Sequence, residues 1–181
     1  GNLILNFSKL LNQKAIHKPS AQHVLDDDYY KRIEAIQFTM AHDDGKKVDD
    51  LNSADVILLG VSRTSKTPTS IYLSNRGLKT INIPLVLEQN VPQDLYTNNK
   101  ACIVGLVADP ERLADIRRNR VAIMKDHKLK EYTDINHIKK EVNDSKNLFK
   151  KNNWPIIDVT RKSVEETAAS ILKIIEIKKH K

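Results

Sequence analysis

Four apolar residues in unbroken succession, Val56, Ile57, Leu58 and Leu59, run straight into Gly60, and this run constrains the chain more than any other feature. A strand wetted on one face alternates between apolar and polar residues, whereas a strand covered on both faces has no reason to. The run therefore predicts an interior strand of a parallel sheet. After Gly60 comes a polar loop, and then Lys66, Thr67 and Pro68, with the proline acceptable in a first helical turn. The helix through Ile71, Tyr72 and Leu73 stops at Gly77.

The same alternation continues downstream. Strands are predicted over residues 80–86 and 101–107, followed by a helix that Asp109 caps and Pro110 opens. Ile135, Ile138, Val142, Ser145 and Phe149 mark a later helix, and residues 155–159 another strand. Ser163 with Glu166 is a capping box for a last helix bearing Val164, Ala168, Ile171 and Ile175. The fold class is α/β: a mainly parallel sheet flanked by helices, around a P-loop-like strand-loop-helix core. Upstream, Leu3, Phe7, Leu10 and Leu11 predict a leading helix. Asp26, Asp27 and Asp28 can cap a second one, whose apolar stripe is Tyr29, Ile33, Ile36 and Met40 and whose pattern ends at Gly45. The expected division is an N-terminal helical segment over residues 1–45 and an α/β domain over 46–181. Because the chain opens on Gly1 and not Met, a region missing upstream is expected.

With 181 residues and 40% hydrophobic content, the chain can bury a core, while Gly 5 and Pro 6 are too few for a low-complexity polymer. A formal charge of +7 favours anionic partners. Cys102, the single cysteine, excludes an intrachain disulfide and a cysteine metal site and fits a reducing cytoplasm. The apolar stretches 56–61 and 101–108 are far too short to span a membrane, and residues 3–7 too brief for a signal-peptide core, so no membrane partner is expected. Arg112, Arg117, Arg118 and Arg120 read first as a solvated helix face, although Arg117 and Arg120 could reach an anionic ligand. Nucleic acid would want stacking aromatics among them, and aromatics are 5% of the chain with none adjoining.

The chemistry concentrates in Gly60-Val61-Ser62-Arg63-Thr64-Ser65-Lys66-Thr67. Three of the four fixed P-loop positions match, and Ser65 stands where the second glycine belongs. Backbone N–H groups and a helix N-terminus would face a phosphate, Lys66 and Arg63 would add positive charge, and Thr67 can offer a hydroxyl to a phosphate-bound Mg²⁺. The bland alternative is a surface turn and an ordinary helix start. His42-Asp43-Asp44-Gly45 could accept a hydroxyl proton or hold Mg²⁺, or it could simply be a polar helix end. His17, Lys18, Pro19 and His23 add imidazole and cationic groups without zinc-type spacing. No resident metal site is expected. Asp109 and Asp158 fall at strand ends, where open α/β sheets bind ligands, and Asp109 serves equally well as a cap alone.

These residues resemble the pyruvate, phosphate dikinase regulatory proteins and the related phosphoenolpyruvate synthase regulatory proteins. The matching pieces include His17-Lys18-Pro19, Tyr29-Tyr30, Asp43-Asp44-Gly45, residues 60–68, Asn82-Ile83-Pro84, Pro110-Glu111-Arg112-Leu113, Ile116-Arg117, Ile157-Asp158-Val159 and Glu165-Glu166-Thr167-Ala168. The resemblance implies a serine/threonine kinase and phosphorylase in one chain. It would phosphorylate an active-site threonine of the dikinase, or of the synthase, with ADP, and remove that phosphate with inorganic phosphate, releasing pyrophosphate. The nucleotide loop carries over onto Gly60 through Thr67, with Lys66, Arg63 and Asp43 or Asp44 as the reacting groups. Ser20 departs from the family, where a glycine is expected after His-Lys-Pro. Two rivals remain: a P-loop kinase using ATP on a metabolite, and a basic adaptor without catalysis. An oligomer is compatible with all three.

Overall fold

The computed structural model describes residues 27–45, 50–86, 91–98, 100–124 and 130–179, together with Asn6, Lys9, Leu10 and Asn12. The leading helix, His17, Lys18, Pro19, Ser20, His23 and the Asp26 cap lie outside the described residues.

Strand β1 (Val56–Gly60) runs between β2 (Thr80–Pro84) and β3 (Cys102–Val107), and β4 (Ile156–Asp158) lies outside β3. Every pair is parallel, with Val56 beside both Thr80 and Cys102, and Gly105 beside Ile156. All five residues of β1 are buried, which is why its sequence does not alternate. Its side chains divide between two faces: Val56 and Leu58 join a core with Leu73, Val104 and Ile171, while Ile57 and Leu59 join one with Ile81, Ile103 and Phe149. The chain leaves β1 toward β2 on one side and later returns to β3 on the other, so the strand order reverses beside the C-terminal end of β1. A crevice opens there in folds of this kind.

Seven α-helices flank this sheet among the described residues: α1 (Asp27–Ala41), α2 (Lys66–Ser74), α3 (Asp94–Thr97), α4 (Pro110–Met124), α5 (Lys130–Thr133), α6 (Ile135–Lys151) and α7 (Val164–Lys179). None of them is long and apolar enough to cross a membrane. The capping box of α7 is formed: the Ser163 N–H donates to Glu166 at 2.8 Å and the Glu166 N–H to the Ser163 hydroxyl at 3.2 Å. Asp134 caps α6 by accepting from the His137 N–H at 2.8 Å.

Helix α1 corrects the expected stripe. Tyr29 and Met40 face solvent, and the buried positions are Ala35 and Thr39. The reason is what α1 covers: β2 is an edge strand whose free N–H groups need acceptors. The Thr39 hydroxyl accepts from the Thr80 N–H at 3.0 Å, and the His42 carbonyl accepts from the Asn82 N–H at 3.4 Å. A polar side chain and a small one permit that approach, so Tyr29 and Met40 turn outward while Ile33, Ile36 and Phe38 are half-buried.

Candidate functional site

Gly60 ends β1 where no other residue fits. A Cβ there would lie 2.6 Å from the Leu106 carbonyl oxygen and 2.7 Å from the Thr64 hydroxyl. Beyond it the chain turns through two left-handed residues, Arg63 at φ 74° and Ser65 at φ 58°. Each costs about 1–2 kcal/mol for a residue with a Cβ. The carbonyls of this turn are tied back. That of Val61 accepts from the Thr64 hydroxyl and from Lys66 Nζ, both at 2.9 Å, and that of Ser62 accepts from Arg117 at 3.2 Å. A peptide whose carbonyl is held on one side presents its N–H on the other, so the loop and the first turn of α2 offer N–H donors to an anion. Lys66 is 5% exposed. Burial pushes its ammonium down to about 8; Asp44 draws it back up, Arg117 deepens the fall, and Asp43 and Arg63 repeat these opposing effects more weakly.

Asp43 and Asp44 reach this loop from earlier in the chain, in a short 3₁₀ turn after α1. Asp44 is itself left-handed, at φ 54°. The Asp43 carboxylate accepts from the Thr67 hydroxyl at 3.1 Å and from the Asn82 amide at 2.7 Å, and the same amide lies 3.0 Å from the Thr67 hydroxyl. Asp44 is less occupied, with the Asn82 amide at 3.5 Å, and faces the cavity beside Lys66. His42 is buried, stacks on Phe38 and bonds the Phe38 carbonyl through Nδ1 at 2.7 Å, so it braces the turn. No group of three His, Cys, Asp or Glu side chains gathers as a metal site among the described residues.

The cavity between these groups measures about 380 Å³ and is lined by Asp44, Ser62, Arg63, Ser65, Lys66, Thr67, Pro68, Pro84, Ile116, Arg120 and Tyr132. That is the size of a small-ligand pocket. Gly60, Val61 and Thr64 are its buried support. Asp109 and Asp158 are not among the lining residues. Asp109 accepts from the Arg112 N–H at 3.0 Å, and Asp158 from the Thr160 N–H at 2.9 Å, so both hold turns.

Two residues behind the site have roles that the sequence analysis does not assign them. Arg117 is fully buried, which overturns its assignment to a solvated face, while Arg112, Arg118 and Arg120 are exposed. Its position was decipherable: it lies four residues after Leu113 and three after Ala114, both buried, and so shares their side of α4. Asn82 is 1% exposed in the middle of an apolar strand, and a polar residue there is the signal that a partner must exist.

A parallel sheet with a Lys-Thr loop where its strand order reverses, a helix N-terminus and Asp44 on one cavity, with Asp43 behind it, defines an α/β protein with the donors and charges that a phosphate group would call for. A family model described as kinase/pyrophosphorylase matches residues 1–172, and the chain belongs to this family. A protein of Pelagibacter ubique (strain HTCC1062), under the name pyruvate, phosphate dikinase regulatory protein, is 66% identical over 181 residues, covering 99% of this chain and 66% of the relative. Proteins of the same name from Erythrobacter litoralis (strain HTCC2594) and Caulobacter vibrioides (strain ATCC 19089 / CIP 103742 / CB 15) are 50% and 45% identical. They match 91% and 96% of this chain and 59% and 55% of their own lengths. The chain thus spans a little over half to about two thirds of the curated relatives it matches.

Proposed function

We propose that this chain carries the phosphoryl-transfer centre of a bifunctional regulator of pyruvate, phosphate dikinase. In the forward reaction a threonine hydroxyl of the dikinase attacks the β-phosphorus of ADP, the bond from that phosphorus to the bridging oxygen breaks, and AMP leaves. In reverse, inorganic phosphate attacks the phosphothreonine, the threonine oxygen recovers a proton, and pyrophosphate is released. The observation that carries this reading is one cavity lined by Asp44, Lys66 and Thr67, with Asp43 accepting from the Thr67 hydroxyl behind them, since phosphoryl transfer asks a protein chiefly to position reactants and to neutralise charge.

Lys66, Arg63 and the loop N–H groups hold the phosphate oxygens. Asp44, facing the cavity, takes the threonine proton and returns it in reverse, while Asp43 keeps Thr67 and Asn82 in place. Thr67 with Asp43 is a donor pair suited to Mg²⁺ beside phosphate oxygens, and the ion would supply charge neutralisation there. Pro84, Ile116 and Tyr132 provide an apolar wall for a nucleoside. The names of the relatives support the dikinase as protein substrate.

The test is incubation with dikinase and either ADP or ATP, with mass detection of phosphothreonine, then phosphate-driven release from the phosphorylated dikinase. Phosphothreonine and AMP from ADP, and pyrophosphate in the second step, are expected. Equal use of ATP and ADP would indicate an ATP-dependent P-loop kinase; release of phosphate without pyrophosphate would indicate a simple phosphatase.

A further inference from the structure

A phosphate-binding loop ordinarily takes its unusual turns with glycine, and here both left-handed positions, Arg63 and Ser65, carry side chains. Something outside the loop has to hold that shape. Arg117 of α4 is fully buried and directs its guanidinium at the loop from behind. One Nη donates to the Ser62 carbonyl at 3.2 Å, the other to the Tyr132 carbonyl at 3.2 Å, and the ring of Tyr132 lies 4.7 Å from the guanidinium carbon. Glu141 of α6 supplies the counter-charge at 2.7 Å, and the Tyr132 and Ser62 hydroxyls share a hydrogen bond of 3.0 Å. A single side chain therefore joins the loop, the α5 wall of the cavity and α6.

We propose that Arg117 is a positioning residue that keeps the glycine-poor loop in its phosphate-receiving shape. The Ser62 carbonyl cannot turn inward while the guanidinium holds it, so the following N–H stays directed at the cavity. Lysine could keep the charge and the pairing with Glu141, yet it lacks the planar fork that reaches two carbonyls at once. This inference rests on the nucleotide reading above only for the identity of the ligand.

The experiment measures ADP and inorganic pyrophosphate binding by calorimetry, alongside thermal melting, for the 181-residue chain, R117K and R117K/S65G. R117K is expected to weaken both ligands by at least about tenfold at a temperature where it is folded. S65G, which removes one left-handed penalty, is expected to recover roughly fivefold of that loss. Near wild-type affinity in folded R117K would overturn the proposal, and so would a double variant no better than the single one. Should R117K fail to fold, the unmutated chain provides the test through the guanidinium ¹⁵N–¹H signals of Arg117, which are expected to shift on saturation with pyrophosphate; shifted loop amides beside unmoved Arg117 signals would overturn it. A chain that binds pyrophosphate but not ADP removes the nucleotide reading and leaves the comparison of variants intact, whereas one that binds neither overturns both.

Discussion

The side-chain amide of Asn82 donates to the carboxylate of Asp43 at 2.7 Å, across 39 positions of sequence. Strand β2 and the turn after α1 are thereby joined at the mouth of the Gly60–Thr67 loop, with the Thr67 hydroxyl as a third member. Asp43 is consumed by this network and Asp44 is left facing the cavity, a division of labour that two adjacent identical residues do not reveal by themselves.

Asp44→Asn is expected to reduce threonine phosphorylation by about 10²-fold or more while ADP affinity stays within a few-fold, because it removes the proposed base and leaves the loop intact. Asp43→Asn acts through position: about 1 kcal/mol of hydrogen bonding is lost, with milder effects on both affinity and turnover. Single-turnover kinetics beside calorimetry would separate the two, and full activity in both variants would reduce the turn to structure.

Lys66→Met is expected to abolish detectable ADP binding and yet to melt no lower than the wild type. The variant removes the charge held against phosphate, but it also removes a buried cation, and the Val61 carbonyl that Lys66 occupied keeps its bond from Thr64. Calorimetry and a melting curve on one preparation decide the matter; unchanged ADP affinity would refute the loop's role.

The lowered Lys66 value also sets opposite pH dependences for binding and stability. The folded chain releases this proton near pH 8 and the unfolded chain near 10.5, so between these values the unfolded state holds more protons and the contribution of Lys66 to stability rises with pH. Below that window the buried charge is a constant burden. ADP affinity runs the other way and weakens as pH climbs through about 8, because the phosphate needs the cation. Titrations of binding and of urea stability from pH 7 to about 10 would show the divergence, and Lys66→Arg is expected to remove it.

Gly105→Ala is expected to destabilise the fold by about 1–3 kcal/mol through overpacking, because a Cβ on β3 would overlap the Phe149 ring. Phe149→Leu in the same chain frees part of that space, so the double variant should be more stable than the sum of the single changes predicts. Urea unfolding of the four proteins measures the coupling.

Much of the architecture was legible in sequence because it is locally encoded. An unbroken apolar run is what a doubly covered strand requires, and β1 is buried throughout. The Ser163–Glu166 capping box and the Ile138, Val142 and Phe149 spacing reappear as the start of α7 and the buried face of α6. The loop could be located from Gly60, Lys66 and Thr67 for the same reason, since contiguous residues between a strand and a helix have one place to go. What the sequence could not express is which distant segments meet. The turn of Asp43 and Asp44 arrives at the loop because β2 is an edge strand whose N–H groups need acceptors, and Thr39 and His42 supply them. Arg117 arrives because a charge on the inner side of α4 can be buried only where Glu141 and two carbonyls await it. By itself the sequence determined the strand, the loop and the chemistry of its side chains; the satisfaction of unpaired polar groups, which only tertiary structure can decide, brought the carboxylates and the hidden arginine to that loop.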